Sequence, residues 1–270
     1  MPRRKKKESR GDSNPNPLRE QLRAMARNRR QEMIDRQPEI KSYLEKDPGY
    51  PARSREHDRQ MISVQLEELR MLLELAEPLV RKIKGAVPNI TDESVETACY
   101  LLFSHSLQSF DAILNLAIFG FNHQIVELLR GIRETLDLAI LFMLEGPEGS
   151  SVQEWFSGEI ISNAAAREVF DAWVNDGRGG RVDAAGTKSA IYSGMSHFPH
   201  MSYVGLCESI DVFSEDFDVS RTAGFHYIAT STLPHAKTEL HSMLVALKQF
   251  YAGRGDFDAV SEIDRLRERF

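Results

Sequence analysis

Residues 192 to 200 read YSGMSHFPH and set Tyr192, Ser193, Ser196, His197 and His200 around one proline. Two histidines three residues apart could begin a metal clip, and hydroxyls beside imidazoles could begin a catalytic loop. The metal reading fails on its remaining ligands. Phe198 and Pro199 oppose a regular helix there, and no cysteine or histidine cluster nearby completes a tetrahedral zinc set. A di-iron bundle needs Glu-x-x-His on each of two helices, yet none of the eight histidines has a glutamate three residues before it. GRVDAAGTKS has one residue too many between Gly180 and Gly186 for a phosphate loop, with Thr187 intruding before Lys188. No G-x-S-x-G elbow occurs, so a hydrolase triad is unsupported. The sequence predicts neither a metal nor a cofactor.

The second candidate is a polar stripe. At 100° per residue, His123, Glu127, Arg130, Glu134 and Asp137 fall within an arc of about 80°, while nearly everything else between 122 and 144 is apolar. Turned outward, the stripe is a solvated face whose Glu127, Arg130 and Glu134 pair at i,i+3 and i,i+4, for about 0.2–0.5 kcal/mol each. Turned inward, its charges are so costly that they must pair with one another or with a ligand. Ser104, Gln108, Asp111 and Asn115 repeat the same 4,3,4 spacing on the preceding helix. If the two stripes meet, they form a polar seam of the kind that holds small molecules between helices.

LLRGIRE (Leu128 to Glu134), followed downstream by Tyr192-x-x-x-Ser196-x-x-x-His200, resembles a family of bacterial helical proteins of unknown function. That family carries an L-L-R-x-x-x-E helix and then a Y-x-x-x-S-x-x-x-H segment, and looks distantly like the HEPN superfamily of helical nucleotide- and RNA-associated domains. The resemblance covers about residues 95 to 250. It implies a helical domain that binds a nucleotide or RNA in bacterial defence or stress regulation. Arg130 would hold phosphate, Glu134 would orient Arg130 or His200, and His200 would be the general acid or base, with Tyr192 and Ser196 against the substrate. HEPN ribonucleases cut without metal, through an Arg-x(4 to 6)-His pair contributed by two subunits. RTAGFH supplies Arg221-x4-His226 as an alternative catalytic pair, with Thr222 where that family usually has Asn; a homodimer would follow. The residues themselves leave a different function open. Arg130, Glu134, Ser196 and His200 could form a buried polar lock in a non-catalytic protein–protein interaction module, whose basic arm or C-terminal helix meets the partner. Whether any reaction is catalysed stays open at this point.

The elements that must position these residues are helices. Met61, Val64, Leu66, Leu69, Leu72, Leu73, Leu75, Ala76, Leu79, Val80 and Ile83 keep a 3.6-residue period from Glu56 to Gly85, with Pro78 as a candidate kink. Thr91 with Asp92 and Glu93 reads as the start of a helix to Phe119, and FGFN as the turn of an antiparallel hairpin. The next helix runs from about Asn122 to Leu144 and stops at Gly146 and Pro147. A fourth starts near Ser150 or Ser151, with Glu154 in capping-box position, and continues through Trp155, Ile160, Ala164, Val169 and Trp173. Helical pattern returns from about Ser220 to Tyr251, interrupted by Pro234, and a short amphipathic helix closes the chain. Strand-like alternation is nearly absent. The fold expected is all-α: an antiparallel bundle of about five to seven helices over 55–270, behind a disordered basic tail over 1–54 with room for a short helix in LREQLRAMARNRRQEMID.

Composition agrees with a folded domain plus a tail: 270 residues, 41% hydrophobic. The net charge of −6 hides an asymmetry, because residues 1 to 30 hold eleven Lys and Arg against three acids, leaving the rest at −14. PRRKKKESRGDSNPNP has too few apolar residues to build a core, and an arm of this charge can contact nucleic acid by counterion release. Cys99 and Cys207 are too few for a disulfide framework and suit a reducing cytoplasm. No apolar signal segment follows the basic N-terminus. The most apolar window, Ile125 to Leu144, carries Arg130, Arg133, Glu134 and Asp137, which excludes an ordinary membrane span.

Overall fold

The computed structural model describes residues 17–87, 89–162, 164–166, 168–169 and 224–268. Among them every regular element is helical, as the periodicity requires. The chain divides into two compact units, Met1–Pro48 and Gly49–Phe270.

The first unit contains α1 (Pro17–Lys46), a 30-residue helix with Pro38 inside it. This exceeds the short helix expected within the tail. The reason is local: Leu, Arg, Gln, Ala, Met and Glu dominate the stretch and are strong helix formers, and side chains one turn apart add bonds such as Gln31 to Asp35 at 2.7 Å. Most of its described side chains are exposed.

The second unit begins earlier than residue 55. Helix α2 (Tyr50–Gly85) carries Pro51 in its first turn, where a missing N–H costs nothing and the fixed φ suits the helix. Pro78 sits within α2 without ending it. Helix α3 (Val95–Ile118) is capped by Ser94, whose Oγ accepts from the Thr97 amide at 3.2 Å, rather than by Thr91. Gly120, at φ 79°, makes the tight turn into α4 (Asn122–Glu145). Helix α5 (Ser150–Phe156) ends after seven residues, so the expected continuous helix to Trp173 breaks near Gly158, whose φ is 92°. Residues 164–166 and 168–169 are helical again.

Helix α6 (Gly224–Tyr227) passes through a π turn (Ile228–Thr232) into α7 (Leu233–Gly253), and α8 (Phe257–Glu268) follows. Pro234 does not interrupt this path; the π turn absorbs it. The Leu233 amide bonds the Ile228 carbonyl five residues back. The next amide in that register would belong to Pro234, which has none. The carbonyl it would have bonded, Ala229 O, accepts instead from Gln65 Nε2 of α2 at 2.8 Å.

Helices α2, α3, α4 and α7 form a ring in which each packs on two neighbours: α2 on α3 and α7, α4 on α3 and α7. Its centre holds Phe103, Phe110, Phe142 and Phe250, all fully buried. The α3–α4 hairpin is antiparallel as expected. Helix α7 runs the other way from the short-loop pattern. Along α2, residues 65, 68, 79 and 82 meet 229, 237, 251 and 256 in rising order, and along α4 Asn122 meets Thr232 before Arg133 meets Glu239. It therefore lies parallel to both, which only a long connection after α4 allows. Helix α8 packs on α7, where Lys248 Nζ bonds both oxygens of Asp264 at 2.6 and 2.7 Å.

A candidate functional site between α4 and α7

Polar residues inside a helical ring are explained by their partners or not at all. Arg133 of α4 sends Nε and Nη2 to one oxygen of Glu239 on α7, Oε1, at 3.1 and 2.5 Å. The glutamate side chain is fully buried and that of Arg133 is 11% exposed. His235, one turn before Glu239, brings Nε2 to 3.2 Å from the same oxygen. That distance is ion-pair range, but the contact lacks hydrogen-bond alignment and counts as electrostatic. The second carboxylate oxygen, Oε2, is buried with no hydrogen-bond partner. Beside this pair, Arg130 Nε donates to Glu134 Oε1 at 3.1 Å, both side chains half-buried, and Asp137 is buried one turn further along α4. Nearer the π turn, Thr232 Oγ1 donates to Asn122 Oδ1 at 2.5 Å, also buried.

The local sequence puts these groups there for a simple reason. Arg133 follows Leu129 by four residues and precedes Leu136 by three, and Glu239 sits between Ala236 and Met243; all four neighbours are core residues. Two opposite charges thus occupy apolar faces of two adjacent helices, and burial leaves them only each other.

The expected stripe is neither wholly inward nor outward. Glu127 is exposed, His123, Arg130 and Glu134 are half-buried and Asp137 is buried, because the stripe drifts around α4 as the helix advances. Burial pushes the His123 pKa down, against the opposing pull of Glu127. The stripe on α3 does not face it. Ser104, Gln108 and Asp111 line an open groove of about 490 Å³ with Arg70, Glu74, Glu77 and Arg81 of α2, and no α4 residue lines that groove. The two stripes therefore build no common seam.

Of the expected site residues, Arg130 and Glu134 are brought together. Tyr192, Ser196, His200 and Arg221 lie outside the described residues. His226 lies on α6 with its side chain 55% exposed, its Nδ1 3.5 Å from the buried Asp58 carboxylate of α2. Arg133, His235 and Glu239 were not foreseen as a set. The signal that could have found them is a charged residue at a position where helical period demands an apolar one, once on each of two helices. Among the described residues no group of three or more His, Cys, Asp or Glu could hold a metal ion, and no helix is long and apolar enough to cross a membrane. Comparison of the chain with family models, with curated proteins and with solved structures finds no match.

Proposed function

We propose that the protein is a non-catalytic helical interaction module and that the α4–α7 cluster is its internal polar lock. The observation carrying this is the fully buried Glu239 held by two bonds from Arg133. Arg133 commits its Nε–Nη2 edge to Glu239, and the fully buried carboxylate needs that arginine as its counter-charge. The lock ties α7, the helix reached by the long connection, to the α4 side of the ring. Its polarity specifies which helix packs where, which is the best-attested use of a buried ionic group.

A second, RNA-directed reading in the manner of HEPN-like proteins has two observations in its favour. His226 has a buried carboxylate, Asp58, near Nδ1, the kind of contact that orients an imidazole as a general base. The first half of α1, residues 17–30, holds five arginines against one acid, with Arg27 and Arg30 exposed, a charge pattern that suits phosphate contacts. Incubating the full chain with a labelled single-stranded RNA in the presence of a metal chelator separates the two. The module reading expects no cleavage. Cleavage abolished by His226→Ala, with the fold intact, would replace it by the nuclease reading.

A further inference from the structure

Beyond the lock, the α3–α4 end of the bundle exposes large apolar groups. Ile118, Phe119 and Phe121, around the α3–α4 turn, are 55%, 65% and 43% exposed. The two rings lie 6.3 Å apart and tilted, so they offer a ridge rather than packing into the core. Such contiguous exposure costs solubility and marks an interaction surface more often than an accident.

The ridge continues into a groove of about 410 Å³. Ile118 forms one lip with Ala117; Ile62 and Leu66 of α2 and Phe225 of α6 supply apolar lining. The rim carries three charges, Arg59, Glu67 and Arg70. Glu67 is already bonded to Arg70 at 2.7 Å. Arg59 instead lies over the Phe225 ring, 5.2 Å from its centroid, and has no carboxylate partner among the described residues. The rim is thus left with one uncompensated positive charge beside an apolar trough.

We propose that this ridge and groove dock a short amphipathic segment of a partner protein, one that sets Leu, Met or aromatic anchors beside an Asp or Glu. The anchors enter the trough and cover Phe119 and Phe121; the carboxylate meets Arg59, whose stacking on Phe225 already holds the guanidinium at the rim. The occupant's sign follows from Arg59, since a basic segment would leave two like charges at the edge of an apolar contact. This rests on the interaction-module reading and names its surface and the partner's chemistry.

The test pans the full chain against a display library of short random peptides and measures the enriched sequences, as synthetic peptides, by fluorescence polarisation. The expected result is enrichment of peptides pairing apolar anchors with Asp or Glu, bound about tenfold more weakly after Arg59→Glu or Ile118→Asp, and more weakly in added salt. Both side chains are exposed, so circular dichroism should show an unchanged fold. Should Ile118→Asp fail to fold, Ile118→Ala and Phe119→Ser carry the same comparison. No enrichment, enrichment of acid-free or basic peptides, or binding indifferent to these substitutions overturns the proposal. The two failures are distinguishable: peptides that bind elsewhere overturn this surface and leave the module standing, whereas RNA cleavage dependent on His226 overturns the module.

Discussion

Replacing Arg133 by alanine strips the buried Glu239 of both bonds to its Oε1, with His235 Nε2 at 3.2 Å as the nearest remaining cation former. Glu239 has no exposure in the native chain, so the loss of Arg133 leaves most of the desolvation cost of its charge uncompensated. Removing one partner of a buried pair costs about 3–5 kcal/mol. Both donors share one oxygen, and Oε2 has no partner even in the native chain, so the pair falls short of a two-oxygen fork. For a unit of this size each kcal/mol moves the melting temperature by about 2–4 °C, which gives a fall of about 6–20 °C. Thermal and urea unfolding followed by far-ultraviolet circular dichroism measure it. The companion variant removes both charges: Arg133→Met with Glu239→Met should melt within a few degrees of the native protein or above it, because apolar replacement of a buried pair is often neutral or stabilising. A single variant within about 1 kcal/mol of native, or a double variant as unstable as the single, would refute the lock, since either result means that Glu239 reaches water or another partner.

Other expectations follow from the same packing. Phe142→Ala, at a fully buried ring that also stands 5.7 Å from the Trp155 ring, should cost about 3–5 kcal/mol in urea unfolding. Burial pushes the Cys99 thiol up to about 12, so labelling of Cys99 by a thiol reagent at neutral pH should track unfolding, which peptide mapping of the labelled site can follow through a urea titration. Asp256 accepts from Lys82, 2.6 Å away, and from the Ala259 amide, and these bonds hold its carboxyl below the usual carboxylate range. A depressed folded value means stability present above that range and lost as pH falls through it. Asp256→Asn should therefore flatten the acid limb of the stability profile, which urea unfolding across acid pH measures.

Much of the fold was legible because helical period, glycine stops and caps are local. The runs ending at Gly85 and Glu145 follow from apolar spacing and, for the second, from Gly146, whose φ of 73° a helix cannot continue. Where local signals conflict, sequence misleads. Thr91 with two acids after it looked like the cap, yet Ser94 takes the role because its hydroxyl reaches the Thr97 amide. Pro234 looked like a break, yet a π turn carries the helix past it once Gln65, far away in sequence, accepts responsibility for the freed carbonyl.

The candidate site was less legible still. LLRGIRE drew attention to Arg130 and Glu134, which do pair, because an i,i+4 contact is a property of one helix. The residue between them, Arg133, finds its partner on α7, and nothing within α4 can announce that. What the sequence determined by itself was the helical class, the charge asymmetry and where helices stop, all consequences of neighbours a few residues apart. Only the tertiary structure decided that α7 runs parallel to α2 and α4, that the polar stripes of α3 and α4 do not meet, and that a buried carboxylate is matched by an arginine a long way up the chain. Those outcomes depend on which faces oppose one another across the ring, and burial, which makes an unpaired charge prohibitive, acts only once the faces have met.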